Sequence, residues 1–335
     1  MARTDIKGRI GLGLLLAAVL LALGCSPRNS GTASDASGPV VLKVASQRGS
    51  TRAIMEASGA LKGAPYKVEW SEFAAASPLL EALGAGAVDL GGVGDAPFVF
   101  AYAAGAPIKA VLAYDSGARG TSTALVAPAA SPVRAVSDLR GRKVATVKGS
   151  IGHYLLLKLL ERAGVPAGDV QVIFLDPGAS RGAMSNGSID AWATWSPYIG
   201  LATLKDNARI VADGQGVIDG VGFFAASDKA IEGKSPAISD FLVRLSRAQA
   251  WAGSHPDDYG AVLAKDTGLP LDVARDAARR LAGRAEPIDA ALIRKEHATL
   301  ETFRLAGVIA ATPNIDGAFA PEVSKAAVAA AHPGG

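Results

Sequence analysis

Two short stretches of this sequence carry the residue types that hold a small anion. Ser46-Gln47-Arg48-Gly49-Ser50 follows one apolar run, and Lys148-Gly149-Ser150 follows another one hundred residues on. Glycine lets a backbone approach a bound group closely, and a serine hydroxyl donates to it. A helix opening just beyond adds unpaired N–H groups at the positive end of its dipole. Two such turns facing each other would grip one oxyanion from both sides. The alternative is that Ser50 and Ser150 are ordinary helix caps and the glycines only make the turns.

Other candidates cluster at similar strand ends. Gly91-Gly92-Val93-Gly94-Asp95 is glycine-rich but fits neither the dinucleotide nor the P-loop pattern. Asp95 either caps the helix that follows or orients donors in a cleft. His153 falls in the first turn after Ser150, where it would donate to an anion or simply stand near a helix start. His255, His297 and His332 are scattered, and with no HExxH pattern the sequence points to no metal centre. Trp192 and Trp195 hold two of the four tryptophans in a chain with only 6% aromatic residues. Strand alternation places Trp192 on the face of Asp190 and Thr194, which favours it as an apolar pocket wall and leaves Trp195 between cleft and core.

The elements that must position these residues repeat. Lys43-Val44-Ala45 and Lys143-Val144-Ala145 open matching strand–turn–helix units, and Gly86-Ala87-Val88-Asp89 before Pro97 is matched by Gly187-Ser188-Ile189-Asp190 before Pro197. The pattern predicts two lobes of one plan. Strands are expected at 40–44, 67–70, 88–93, 108–114, 122–127, 143–146, 170–175, 189–194, 209–212 and 222–226. Alternating with helices, they make an α/β protein with a mostly parallel sheet in each lobe. Helices dominate after Ser235, which precedes Pro236 as a cap precedes a first-turn proline, and Ile238, Phe241, Leu242 and Leu245 then follow helical spacing. Further helices are expected at 257–265, 271–281 and 289–306.

The 335 residues suffice for about two domains, and 49% hydrophobic content excludes a wholly disordered chain. Arg3, Lys7 and Arg9 precede an apolar run ending at Leu21-Ala22-Leu23-Gly24-Cys25, which reads as a secretory leader over residues 1–24. The single cysteine directly after a small residue resembles a bacterial lipoprotein box, with Cys25 the lipidated residue. Residues 25–39 are small and polar and read as a flexible tether. The leader holds two of the three net positive charges, so the remainder is nearly neutral and gives no support for nucleic-acid binding.

Taken together, Ser46–Ser50, Val68-Glu69-Trp70-Ser71-Glu72-Phe73, Leu80–Leu83 with Gly92–Pro97, Lys148–Ser150 with His153, and Asp190-Ala191-Trp192 with Trp195, Pro197 and Tyr198 resemble the aliphatic sulfonate-binding proteins of ABC importers. The wider group includes taurine-, nitrate- and bicarbonate-binding proteins, and the resemblance runs over about residues 40–310. It implies a two-lobed periplasmic-binding-protein (type II) fold with the ligand cleft between lobes. Lobe 1 would be 40–120 plus 224–335 and lobe 2 would be 121–223, with crossings near Gly117–Thr121 and Gly220–Phe224. It implies ligand contacts from Gln47, Arg48, Gly49, Gly94, Asp95, Gly149, Ser150, His153, Asp190 and Trp192, and no catalysis, cofactor or metal. The implied partners are a small organic anion, an alkanesulfonate, then an ABC permease with its ATPase, and a membrane reached through the lipid anchor. Taurine would need an acid for its ammonium, from Glu72, Asp95 or Asp190; nitrate, bicarbonate or a thiamine-precursor pyrimidine are the other ligands in view. A same-fold desulfinase is the rival of another class.

Overall fold

The computed structural model describes residues 39–48, 50–281 and 283–331. The expected leader, the tether as far as residue 38, Cys25 and Gly49 lie outside the described residues.

The first half alternates strand and helix as expected: β1 (Val41–Gln47), α1 (Ser50–Ala57), β2 (Lys67–Phe73), α2 (Ala76–Gly84), β3 (Leu90–Gly94), α3 (Asp95–Ala103) and β4 (Ile108–Asp115). Then come β5 (Thr123–Pro128), β6 (Lys143–Thr146), α4 (Ile151–Arg162), β7 (Gln171–Phe174), α5 (Pro177–Ser185), β8 (Ala191–Trp195), α6 (Tyr198–Leu204), β9 (Ala208–Asp213) and β10 (Val221–Ser227). The tail holds α7 (Asp228–Ser254), α8 (Pro256–Thr267), α9 (Leu271–Leu281), β11 (Arg284–Glu286), α10 (Ala290–Leu305) and α11 (Lys325–Ala331). All ten predicted strands are present within a few residues of their expected bounds. The short β11 and the alanine-rich α11 were not legible as pattern.

Among the described residues the strands form two sheets, ordered β11-β4-β10-β3-β1-β2 and β7-β6-β8-β5-β9. β1 pairs in parallel with β2 and β3, and β6 does the same with β7 and β8. β10 and β5, each reached from the other sheet, are inserted antiparallel. Most strands in each sheet therefore point one way although the pairing is mixed.

The repeat read from the sequence has a structural cause. Asp89 accepts from the Lys43 backbone N–H at 2.7 Å, and Asp190 accepts from that of Lys143 at 2.8 Å. Each aspartate closes the start of the strand that opens its unit, at the amino edge of the sheet.

Helix starts follow capping chemistry. Ser150 accepts from His153 N–H, Asp176 from Ala179 N–H and Ser227 from Ala230 N–H. At Ser235-Pro236 the expected helix start coincides with a kink, because Lys234 leaves helical geometry and α7 bends there. Beyond it Ile238, Phe241, Leu242 and Leu245 are all buried, as their spacing predicted.

The chain passes between the sheets through residues 116–122 and 214–220. Hydrogen bonds hold these segments together: Ser116 Oγ donates to Gly220 O at 3.2 Å and Gly214 N–H to Thr123 O at 3.0 Å. α9 joins the two halves from the side. Its Val273, Ala274 and Ala277 share an apolar cluster with Ile199 and Ala202 of α6, and Arg280 donates to Thr121 O at 2.8 Å. No helix among the described residues is long and apolar enough to cross a membrane.

Candidate functional site

A cavity of about 160 Å³ opens where the carboxyl ends of β1, β3, β6 and β8 face one another. Open α/β sheets bind ligands at such ends because turns there lead into helices. The first sheet contributes Gln47, Arg48, Ser50 and Gly94, and the second contributes Thr123, Ser150, Trp195 and Ser196. Arg48 is the only charged residue among its described lining.

Arg48 sits in the left-handed region at φ 50°, rare for a residue with a Cβ, and its N–H holds Phe73 O at 3.0 Å. Its guanidinium carbon lies 5.6 Å from the Tyr198 ring centroid, while its Nε is buried without a hydrogen-bond partner. Tyr198 is itself fixed by donating to Ala74 O at 2.7 Å. The result is a cation stacked on a clamped ring, with donor capacity unspent. Gln47 donates to Gly92 O at 3.0 Å, and Ser196 Oγ is buried with no partner. These groups face the same space, so their unmet hydrogen bonds are available to an anion.

Ser150 both caps α4 and lines the cavity. The two readings of the Gly-Ser turn therefore coexist. Its oxygen accepts from His153 N–H at 3.1 Å and lies 3.5 Å from Thr146 Oγ1.

Several expected contacts lie elsewhere. Trp192 is 1% exposed, packed 5.9 Å from the Tyr198 ring, with Val126 and Ala145 as strand neighbours. It is a core residue, whereas Trp195, last in β8, reaches the cavity. Position along the strand outweighed face, because only the carboxyl end meets the cleft. Asp190 stands at the opposite end of the sheet on Lys143 N–H, with Arg142 at 3.7 Å. Asp95 accepts from its neighbour Ala96 N–H at 2.6 Å and faces a second cavity with Asp219, Lys295 and Glu296. Burial pushes its carboxyl up to about 7, and burial first, then the nearby Asp95, raises that of Glu296.

Gly149 and His153 hold each other. The Gly149 N–H donates to His153 Nδ1 at 3.2 Å, which removes it as an anion donor, and the imidazole packs between Phe174 and Phe303. At φ 71° a Cβ on Gly149 would fall 2.5 Å from the Phe100 ring, so this turn needs glycine. Gly149 and His153 therefore position Ser150 from behind the cavity.

Burial, then Lys148, lowers the His153 pKa to about 4. The unfolded chain takes up this proton near pH 6.5 and the fold resists it until about 4. The stability tied to neutral His153 is thus present above pH 6.5 and lost as pH falls towards 4. Over that interval the melting temperature of the wild type should fall several degrees further than that of His153→Gln, measured by circular dichroism.

Residues 64–259 match the protein family described as NMT1/THI5 like. The chain belongs to that family. A protein of Escherichia coli (strain K12) named for binding aliphatic sulfonates is 36% identical over 240 residues, 71% of this chain and 75% of the relative. Among solved structures, the alkanesulfonate-binding protein SsuA of Xanthomonas axonopodis pv. citri, bound to MOPS, superposes with a TM-score of 0.79. The two are 30% identical, with 85% of this chain and 100% of that one covered. The periplasmic aliphatic sulphonate-binding protein SsuA of Escherichia coli gives 0.73 at 32% identity, over 84% and 92% of the two chains. The family member described here has the periplasmic-binding-protein fold, with two mixed sheets flanked by helices and the cavity between them.

Sequence reasoning missed Thr123, Ser196, Tyr114 and Gln249 as lining residues. The hydroxyl run Thr121-Ser122-Thr123 at the expected crossing was a usable signal. Gln249 also had one, since it continues the apolar stripe of α7 one turn beyond Leu245.

Proposed function

We propose that this chain captures an aliphatic sulfonate in the cleft between two lobes and delivers it to an ABC permease and its ATPase. It would work in the periplasm or at the cell surface, held to a membrane by a lipid on Cys25. The observation that carries the reading is the cavity's charge pattern: one guanidinium with an unpartnered buried Nε, with hydroxyls, the uncharged amides of Gln47 and Gln249, and apolar walls around it. A monoanionic head with an uncharged organic body is its chemical complement.

None of Glu72, Asp95 and Asp190 lines the cavity, which leaves the ammonium of taurine without a counter-charge. Nitrate and bicarbonate would leave Trp195, Phe224 and Leu245 uncovered. Closure of the lobes around a sulfonate would follow from donors on both sides meeting the same oxygens, and that closed form is what a permease would recognise.

The test is a thermal-shift series on the chain lacking its leader and Cys25, against methane- to octanesulfonate, taurine, nitrate, bicarbonate and a pyrimidine. At about 100 times its Kd a ligand should stabilise by roughly 2.7 kcal/mol. A shift that grows with alkyl length supports the reading. A shift only with taurine, an inorganic anion or the pyrimidine overturns the substrate, and multiple turnover of any ligand overturns the binding role.

A further inference from the structure

The cavity has a polar lining residue that an alkyl chain alone would leave incomplete. Besides Arg48 the cavity is lined by Tyr114, Phe224, Leu245, Tyr259 and Leu263. Gln249 lines the same space from α7, only 5% exposed, and its Oε1 is buried with no hydrogen-bond partner. An amide in an apolar chamber is costly unless something completes its hydrogen bonds.

The neighbouring polar groups do not complete it. The Tyr114 hydroxyl is directed to Val93 O at 3.4 Å and the Tyr259 hydroxyl to Ser50 O at 3.2 Å. Burial raises the pKa of both phenols, so they stay uncharged. The described lining contains no carboxylate, so an ammonium would be buried there unpaired. The group that suits Gln249 is neutral and both donates and accepts, as a hydroxyl does.

We propose that Gln249 forms a tail subsite, and that the chain selects sulfonates whose apolar chain ends in an uncharged hydrogen-bonding group, a hydroxyl above all. The inference rests on the sulfonate reading above and refines it. A site that hydrogen-bonds a ligand hydroxyl discriminates against the analogue without it, because the buried protein group is then left unmatched.

The experiment compares two series by calorimetry: 1-alkanesulfonates and ω-hydroxyalkanesulfonates with the same number of heavy atoms, from three to seven beyond the sulfur. ω-Aminoalkanesulfonates serve as the charged control. At the length that reaches Gln249 the hydroxylated ligand should bind about five- to tenfold tighter than its alkyl match. Gln249→Met, of similar length but apolar, should reverse that order, and Gln249→Glu should gain at least tenfold for the aminoalkanesulfonate. Should Gln249→Met fail to fold, the Gln249→Glu gain carries the test alone.

Equal or weaker binding of every hydroxylated ligand by the wild type would overturn the subsite. An unchanged order in Gln249→Met would do the same. If neither series binds, the sulfonate reading fails and takes this inference with it. Binding of the plain series without a hydroxyl preference would overturn the subsite alone.

Discussion

Arg48→Ala should weaken alkanesulfonate binding by roughly 30- to 150-fold, equivalent to about 2–3 kcal/mol, the range for removing one partner of a charge-assisted hydrogen bond in a partly buried site. The size of the effect follows from Arg48 being the only charged residue of the described lining, so no neighbouring cation takes over. Its ring partner, Tyr198, stays clamped on Ala74 O whether or not the guanidinium is present. Arg48→Lys should recover only part of the loss. An ammonium keeps the charge but lacks the planar fork and the Nε–H that now has no protein partner. Backbone strain supplies an internal control. At φ 50° an alanine keeps the left-handed penalty and a glycine removes it, so Arg48→Gly should be the more stable of the two while binding as poorly. Wild-type affinity in Arg48→Ala, measured by calorimetry, would exclude this side chain as the anion's counter-charge.

What the sequence revealed of the fold was the part governed by local physics. Lys43–Ser50 and Lys143–Ser150 could be matched because each unit solves one problem, a central strand turning into a helix, with the same residues. The aspartates at 89 and 190 recur because each holds a backbone N–H near the start of the strand that opens its unit, Lys43 in β1 and Lys143 in β6. Asp190 was thus a correct sign of the repeat and a wrong sign of the ligand. A pattern along the chain does not say which edge of the sheet a residue meets.

Trp192 and Trp195 show the same limit. Alternation distinguishes faces, but the cleft lies at an end, and Val126 and Ala145 cover Trp192 in the middle of the sheet. Ser150 was legible as both cap and donor because both roles need one hydroxyl at a helix start. The network that places it was not. The Gly149–His153 bond and the ring of Phe100 against Gly149 depend on side chains far apart in sequence. Asp95 was ambiguous for a related reason: its strand end reaches the cleft through Gly94, while its own side chain turns into the cavity shared with Glu296.

Gly120→Ala should lower stability by about 3 kcal/mol, a fall in melting temperature of roughly 6–12 °C, although this buried residue contributes no side chain to the core or the ligand cavity. Two costs combine. At φ 84° an L-residue pays about 1–2 kcal/mol for the left-handed backbone. A Cβ there would also fall 2.3 Å from Gly214 O and 2.6 Å from Ile218 O, and those atoms are backbone, with no rotamer to swing away. A Cβ on Gly214 would reciprocally fall 2.5 Å from Gly120 O, and one on Gly220 would stand 3.0 Å from Gly120 N. The two crossing segments lie this close only because these positions are glycine. Forcing them apart would strain the Ser116–Gly220 and Gly214–Thr123 hydrogen bonds that join them. Gly117→Ala separates the two costs. Gly117 also has positive φ, 67°, but nothing lies within 4 Å of its Cβ position, so only the backbone penalty should appear. Because both sheets supply cavity residues through these connections, Gly120→Ala should also weaken sulfonate binding with every cavity side chain intact. Equal destabilisation in the two variants would mean that the glycines serve turn conformation alone. A larger loss of stability and of affinity in Gly120→Ala would place the constraint on the two crossing segments in backbone packing.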